Sequence, residues 1–258
     1  MKYFLQLMYD GQAYAGWQRQ PNVTSVQAVI EDRMSRMLQT EVAIMGCGRT
    51  DSGVHALDFF AHTVVEAVLD DSFLFRLNNF LPRDVAIIKI WPVHEEAHAR
   101  FDATERSYIY HIHSHKNPFR EKYSFYYRRA ANFSLDTLNE FSQKLTTYED
   151  FQTFAKVHSD VNHHRCQLSR CEWQESQDGI ELHITSNRFL RGMVRLITGA
   201  SLRYAEGRIT MEDLERAMSR GEQIKDIWSV PAHGLFLSDI RYPYIEKSMK
   251  SKSKIQDL

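Results

Sequence analysis

The 258 residues are 43% hydrophobic and 25% charged, with a formal net charge of −1 at pH 7. That length suffices for one large core or two fused modules, and the balance argues against a nonspecific nucleic-acid coat while leaving room for a local basic patch. No run of about eighteen apolar residues occurs, so no transmembrane span is expected.

The chain opens on a strand-like segment, Lys2 to Tyr9, with no signal-peptide pattern before it. Thr24 and Gln27 fit a capping box, and Val26, Val29, Ile30, Met34, Met37 and Leu38 recur at helical spacing. Val42 to Met45 reads as a strand leading into a glycine-bracketed loop, and Phe59 to Val65 as another strand. Asp71 starts a short helix, and Val85 to Val93 is again a strand. The order is βαββαβ, a ferredoxin-like unit. The second half follows the same logic with longer insertions. Arg106 to His113 is a strand, and Ser134 precedes a helix carrying Leu138, Phe141 and Leu145. Gln167 to Gln174 and Ile180 to Thr185 flank the turn Gln177-Asp178-Gly179. Leu190, Val194 and Ile197 mark a helix that also carries Arg191 and Arg195. Met211, Leu214 and Met218 mark another helix, and Leu235 to Ile240 a closing strand. The expected class is α+β, with two fused ferredoxin-like modules, 1–104 and 105–245, whose sheets join with a cleft between them. The tail, 246–258, is Lys/Ser-rich without an apolar period and is expected to be disordered.

Three cysteines, Cys47, Cys166 and Cys171, form an odd set without a C-x-x-C pair. Reduced thiols in the cytosol fit that count, so a cytoplasmic protein is expected. Twelve histidines raise the question of a metal. His111, His113 and His115 alternate along a strand, and His163-His164 lie near Cys166, but zinc spacing is missing, so no metal site is expected. There is no phosphate-cradling glycine-lysine loop and no G-x-G-x-x-G after a strand, hence no expected cofactor.

The segment Gly48-Arg49-Thr50-Asp51-Ser52-Gly53-Val54-His55-Ala56 concentrates the chemistry. Glycines bracket it, so it reads as a tight, shaped loop. Arg49 and Asp51 sit two residues apart, and on an extended backbone they face the same way. A guanidinium beside a carboxylate keeps it ionised and oriented, which suits a nucleophile or base. Basic residues gather elsewhere. Arg188, Arg191, Arg195, Arg203 and Arg208 oppose a single acid, Glu206, and Lys116, Arg120, Lys122, Arg128 and Arg129 oppose Glu121. Together they suggest a one-sided basic groove.

GRTD-x-GVHA, with Tyr9-Asp10-Gly11, Gly16-Trp17-Gln18-Arg19-Gln20 and Val26-Gln27 before it, resembles the tRNA pseudouridine synthase A family. The resemblance continues through Leu81-Pro82, His98-Ala99-Arg100, Arg106-Ser107-Tyr108-Ile109-Tyr110 and Phe189-Leu190-Arg191-Gly192-Met193-Val194-Arg195. It ends at Pro231-Ala232-His233-Gly234-Leu235 and Arg241-Tyr242-Pro243. It implies a pseudouridine synthase fold with a central antiparallel sheet. It implies an isomerase acting on uridines 38, 39 and 40 of the tRNA anticodon arm, and a homodimer that engages tRNA. It assigns Asp51 as nucleophile, Tyr108 as the platform stacking on the target uracil, and Arg195, with Arg49, as active-site support. The reaction requires no metal or cofactor. Arg188, Arg191 and Arg203 are candidate phosphate contacts, and Trp17 is a candidate RNA-stacking residue that reads equally as core. His55 belongs to the signature as loop support. Asp58 and Phe59 stand where the family commonly has Gly-Gln, and Ala97 replaces the aromatic of F-H-A-R. These departures touch packing and RNA contacts rather than the reaction. A noncatalytic RNA-binding sheet is the alternative, because ferredoxin-like sheets also bind RNA through aromatics. An intact Asp51 argues against it.

Overall fold

The computed structural model of the chain describes residues 1–156 and 162–246. The expectation for the tail therefore falls outside the described residues, Glu246 excepted. The backbone forms two compact units, Met1–Glu105 with the C-terminal segment from Leu237, and Arg106–Phe236. No helix among the described residues is long and apolar enough to cross a membrane.

The first unit runs β1 (Lys2–Tyr9), α1 (Val26–Leu38), β2 (Met45–Gly46), β3 (His55–Val64), α2 (Asp71–Phe80) and β4 (Val85–Val93). Strand β1 lies between β4 and β3, antiparallel to both, and Leu5 pairs with Ile90 on one side and Ala61 on the other. That central place explains its near-continuous apolar run: Phe4, Leu5 and Leu7 are fully buried. Ile30 and Met34 of α1 and Leu77 of α2 complete the core. The cap of α1 is Ser25 rather than the expected Thr24. Ser25 holds the extended backbone that an N-cap needs, and its hydroxyl accepts the Ala28 amide. The strand expected at Val42–Met45 shrinks to Met45–Gly46. The amides of Val42 and Ile44 turn instead to α1, donating to Ser35 Oγ at 2.8 Å and Glu31 Oε1 at 3.0 Å.

The second unit contains β5 (Glu105–His113), β6 (Phe125–Tyr126), α3 (Leu135–Leu145), β7 (Leu168–Ser176), β8 (Gly179–Ser186), α4 (Met193–Ala205) and α5 (Met211–Arg220). Strand β8 lies antiparallel between β5 and β7, and β6 runs parallel to β5. Helix α3 is tied to β7 through Asn139, whose amide brackets the Trp173 backbone at 2.7 and 3.0 Å. Trp173, Phe141, Phe151, Phe154 and Leu182 form the core. Thr210 and Asp213 form a reciprocal capping box for α5. His115 follows β5 rather than alternating on it, whereas His111 and His113 lie within the strand. Strand β9 (Leu235–Arg241) closes the order, and from Leu237 it belongs to the first unit beside β3. The class is α+β: β6 pairs parallel with β5, while β1, β2, β3 and β4 in the first unit and β5, β7 and β8 in the second pair antiparallel.

One helix start departs from the sequence reading. Gly192 takes a left-handed φ of 74° at the N-cap of α4, so the helix begins at Met193. Arg191 therefore precedes the helix and does not share a helical face with Arg195.

Candidate active site

In the first unit, Asp51 opens a tight turn. The Val54 amide donates to the Asp51 carbonyl at 3.2 Å, and Gly53 supplies the φ of 78° that the third position of such a turn requires. Motif residues brace this turn from several sides. Buried Thr50 bonds Tyr9 Oη through Oγ1 at 2.9 Å. The Trp17 amide donates to the Thr50 carbonyl at 3.3 Å, and Ser52 Oγ donates to the Tyr14 carbonyl at 3.2 Å. His55, 1% exposed, places Nδ1 3.1 Å from both the Gly11 amide and Asp10 Oδ1. Gly16 has a φ of 87°, and a Cβ there would meet the Thr50 carbonyl oxygen at 2.2 Å. The separate YDG and GW motifs are thus the scaffold of the Asp51 turn. Gln27, on α1, holds the Gly16–Gln20 motif and the stretch before β2, accepting the Arg19 amide and donating to the Ile44 carbonyl.

Asp51 itself is half-buried, and Arg49 is exposed. Among the described residues Arg49 makes no ion pair, so the expected Arg49–Asp51 contact is not formed. The reason is local. The i, i+2 argument holds for an extended backbone, and this segment turns at Asp51. Trp17 is also corrected: it is 2% exposed and stacks on Phe59 with ring centroids 4.1 Å apart. It belongs to the core beneath Thr50 and has no face to offer RNA.

In the second unit, Tyr108 sits on β5 opposite Ile184, half-exposed, with its ring edge-to-face against Phe189 at 5.1 Å. Tyr110, two residues on, is fully buried and donates to the Pro231 carbonyl at 2.8 Å. Burial pushes its pKa well above the usual tyrosine range. The two tyrosines of the motif therefore divide into a half-exposed ring and a core anchor. Arg195 is half-buried on α4, and its Nε donates to the Val230 carbonyl at 2.6 Å. Arg191 is exposed just before the helix. Arg188 lies 3.0 Å from His163 Nε2. Arg203 is held against Glu206 at 2.8 Å and donates to the Asp226 carbonyl, so its charge is not bare.

Among the described residues no group of three or more His, Cys, Asp or Glu is arranged to hold a metal ion. Glu181 bonds both His111, at 3.0 Å, and His183, at 3.2 Å. Burial opposes its charge, but the two imidazoles outweigh that and hold its pKa at about 2.

Known proteins resemble this chain over most of its length. A family model described as tRNA pseudouridine synthase matches residues 142–243. The tRNA pseudouridine synthase A of Azobacteroides pseudotrichonymphae is 43% identical over 244 residues, covering 94% of this chain and 97% of that protein. Those of Parabacteroides distasonis and Bacteroides thetaiotaomicron are 39% and 38% identical, each over at least 94% of this chain. The chain belongs to the tRNA pseudouridine synthase A family. Its departures from the family's common pattern have structural partners here. Asp58, 7% exposed, accepts from Gln6 Nε2 at 2.9 Å and from the Ile240 amide at 3.3 Å, and so ties β1 and β3 to β9. Phe59 is the ring under Trp17. Ala97 is fully buried, where a larger side chain would need space.

The sequence reading missed Tyr9 and Thr50 as the pair that braces the turn. Their separation of 41 residues leaves no local spacing signal; the only clue was that both lie in motifs of the resemblance.

Proposed function

We propose that this protein isomerises uridine to pseudouridine in tRNA. Near-full-length similarity to proteins of that name supports the reading. In the structure its main support is the Asp51 turn, braced by Tyr9, Gly16, Trp17 and His55. The reaction breaks the bond from uracil N1 to ribose C1′, turns the base and joins C5 to C1′. The C5 proton leaves and N1 ends protonated, so nothing is oxidised and no group is carried in. Asp51 supplies the carboxylate that attacks the nucleotide or balances a cationic sugar. The target base must leave its stack to reach it. Tyr108 stacks on that uracil, an interaction worth about 1–3 kcal/mol, and its hydroxyl is suited to receive the C5 proton. Arg195, fixed through Val230, supports the reacting centre. Arg49, exposed beside Asp51, serves through the nucleotide rather than by pairing with the carboxylate. Arg188 and Arg191 contact phosphates.

The substrate positions in this reading are 38, 39 and 40 of the anticodon arm, and the enzyme works as a cytoplasmic homodimer without metal or cofactor. Residues 1–104 and 105–245 are read as two ferredoxin-like modules, although the backbone groups the segment from Leu237 with the first unit. The order β4-β1-β3, with β2 on β3, supports this for the first, and β5-β8-β7 with α3 and α4 for the second. The test is tritium release from tRNA carrying C5-tritiated uridine. The enzyme releases tritium and leaves pseudouridine at those positions. A noncatalytic RNA binder binds the same tRNA and releases none.

A further inference from the structure

Beyond the residues assigned to chemistry, the second unit carries a shallow, open depression of about 500 Å³ at the end of α4. Arg128, Arg129, Arg203, Arg208, Tyr127 and Trp228 line it. Glu206 is its hub, with a side chain only 4% exposed. It accepts from Arg129 Nη1 at 2.9 Å, Arg203 Nη1 at 2.8 Å, Arg208 Nε at 3.3 Å and the Tyr127 hydroxyl. Burial opposes its charge, yet these donors hold its pKa at about 2.

A structural cross-link needs one arginine for one carboxylate. Here three share Glu206, and Arg128 makes no ion pair among the described residues. Asp226 is a further acid, 3.5 Å from Arg208 and 3.9 Å from Arg203. Four guanidinium groups thus face two carboxylates, leaving an excess of two positive charges. Each guanidinium has five N–H donors, and Glu206 and Asp226 use only some of them. Beside this charge stand planar rings. The Arg203 guanidinium lies 4.4 Å from the centre of the Trp228 ring, and Tyr127 is 6.0 Å from Trp228. Fixed guanidinium donors beside half-exposed aromatic rings suit a polyanion with flat bases.

We propose that this open depression is a phosphodiester-binding subsite for the tRNA substrate, with Glu206 as the residue that positions its arginines. Arg203 lies eight residues beyond Arg195 on α4, about 12 Å along the helix, so the subsite holds RNA away from the reacting nucleotide. The proposal rests on the isomerase reading and extends it to where the substrate backbone is gripped.

The experiment measures tRNA affinity against salt concentration, with single-turnover tritium release at saturating tRNA, for wild type, Arg128→Gln and the double variant Arg129→Gln/Arg208→Gln. Arg216→Gln, on α5, is the control. In the double variant Glu206 keeps Arg203 and Tyr127, so no buried carboxylate is orphaned. Arg128→Gln removes no ion pair and keeps the test valid if the double variant folds poorly. The expected result is a salt slope lower by about 0.7–0.9 for each charge removed and at least a tenfold loss of affinity in the double variant, with the saturating rate unchanged. Affinity and slope equal to those of Arg216→Gln in all variants, with an active wild type, would overturn the subsite. A wild type that binds tRNA without releasing tritium would overturn the isomerase reading and leave the subsite standing.

Discussion

Replacing Gly16 by alanine separates the bracing of Asp51 from the chemistry of Asp51. The added Cβ would stand 2.2 Å from the Thr50 carbonyl oxygen, where real Cβ contacts stay beyond 3.0 Å. The gap between those distances is 0.8 Å, so the backbone adjoining Asp51 must move by nearly an ångström. A misplacement of about 1 Å at a reacting group costs on the order of a hundredfold in rate. The left-handed φ of 87° adds about 1–2 kcal/mol of backbone strain for an alanine. Gly207→Ala is the matched control, because its φ is 70° but its Cβ would meet nothing within 4 Å. Both variants should lose about 1–2 kcal/mol from backbone strain, and Gly16→Ala more through its clash, read by thermal melting. Only Gly16→Ala should lose about a hundredfold in single-turnover tritium release at saturating tRNA. A folded Gly16→Ala enzyme within threefold of wild type would refute the claim that this contact positions the Asp51 turn.

Thr50→Val removes the hydrogen bond between Thr50 and the buried Tyr9 hydroxyl and should cost about 0.5–1.5 kcal/mol by urea denaturation. The Tyr9→Phe/Thr50→Val pair should cost less than the two single losses added together, and strict additivity would argue against the bond. Tyr108→Leu should lower the saturating single-turnover rate far more than tRNA affinity; equal losses would make it a general binding residue. Burial, then the neighbouring His98 and Lys2, lower the His62 pKa from 6.5 to about 4. Below about pH 6.5 the unfolded chain takes up a proton that folded His62 refuses, so stability falls from there down to about pH 4. For a half-buried group, screening limits the loss to about 1–2 kcal/mol. His62→Gln keeps an acceptor for the Ala99 amide and should melt with a shallower drop between pH 7 and pH 5; identical drops would contradict the assignment.

Strands with strong local patterns were legible in the sequence: β1 and β4 were read with the bounds they have, and the apolar residues that mark α1, α3 and α5 all lie inside those helices. What escaped depended on partners distant in the chain. Val42–Ile44 has strand-like residues, but its amides are captured by Ser35 and Glu31 of α1. Arg191 fits a helical spacing with Arg195, yet one left-handed glycine excludes it from the helix. Trp17 is equally plausible as platform or core until Phe59 is placed beneath it. Asp51 stood out because its motif is dense, whereas the lack of an Arg49–Asp51 pair follows from a turn that the i, i+2 rule does not describe. The gathering of Arg129, Arg203 and Arg208 around Glu206 was out of reach, since the sequence presents Glu206 only as one acid among arginines.

The central claim is that the Asp51 carboxylate drives an isomerisation, and one substitution tests it directly. Asp51→Asn keeps the shape of the side chain and removes its charge. Tritium release from C5-tritiated uridine in tRNA should fall to background in this variant, while melting temperature stays close to wild type and tRNA affinity stays within a few-fold. Substantial turnover by the pure, folded Asp51→Asn protein would contradict the account.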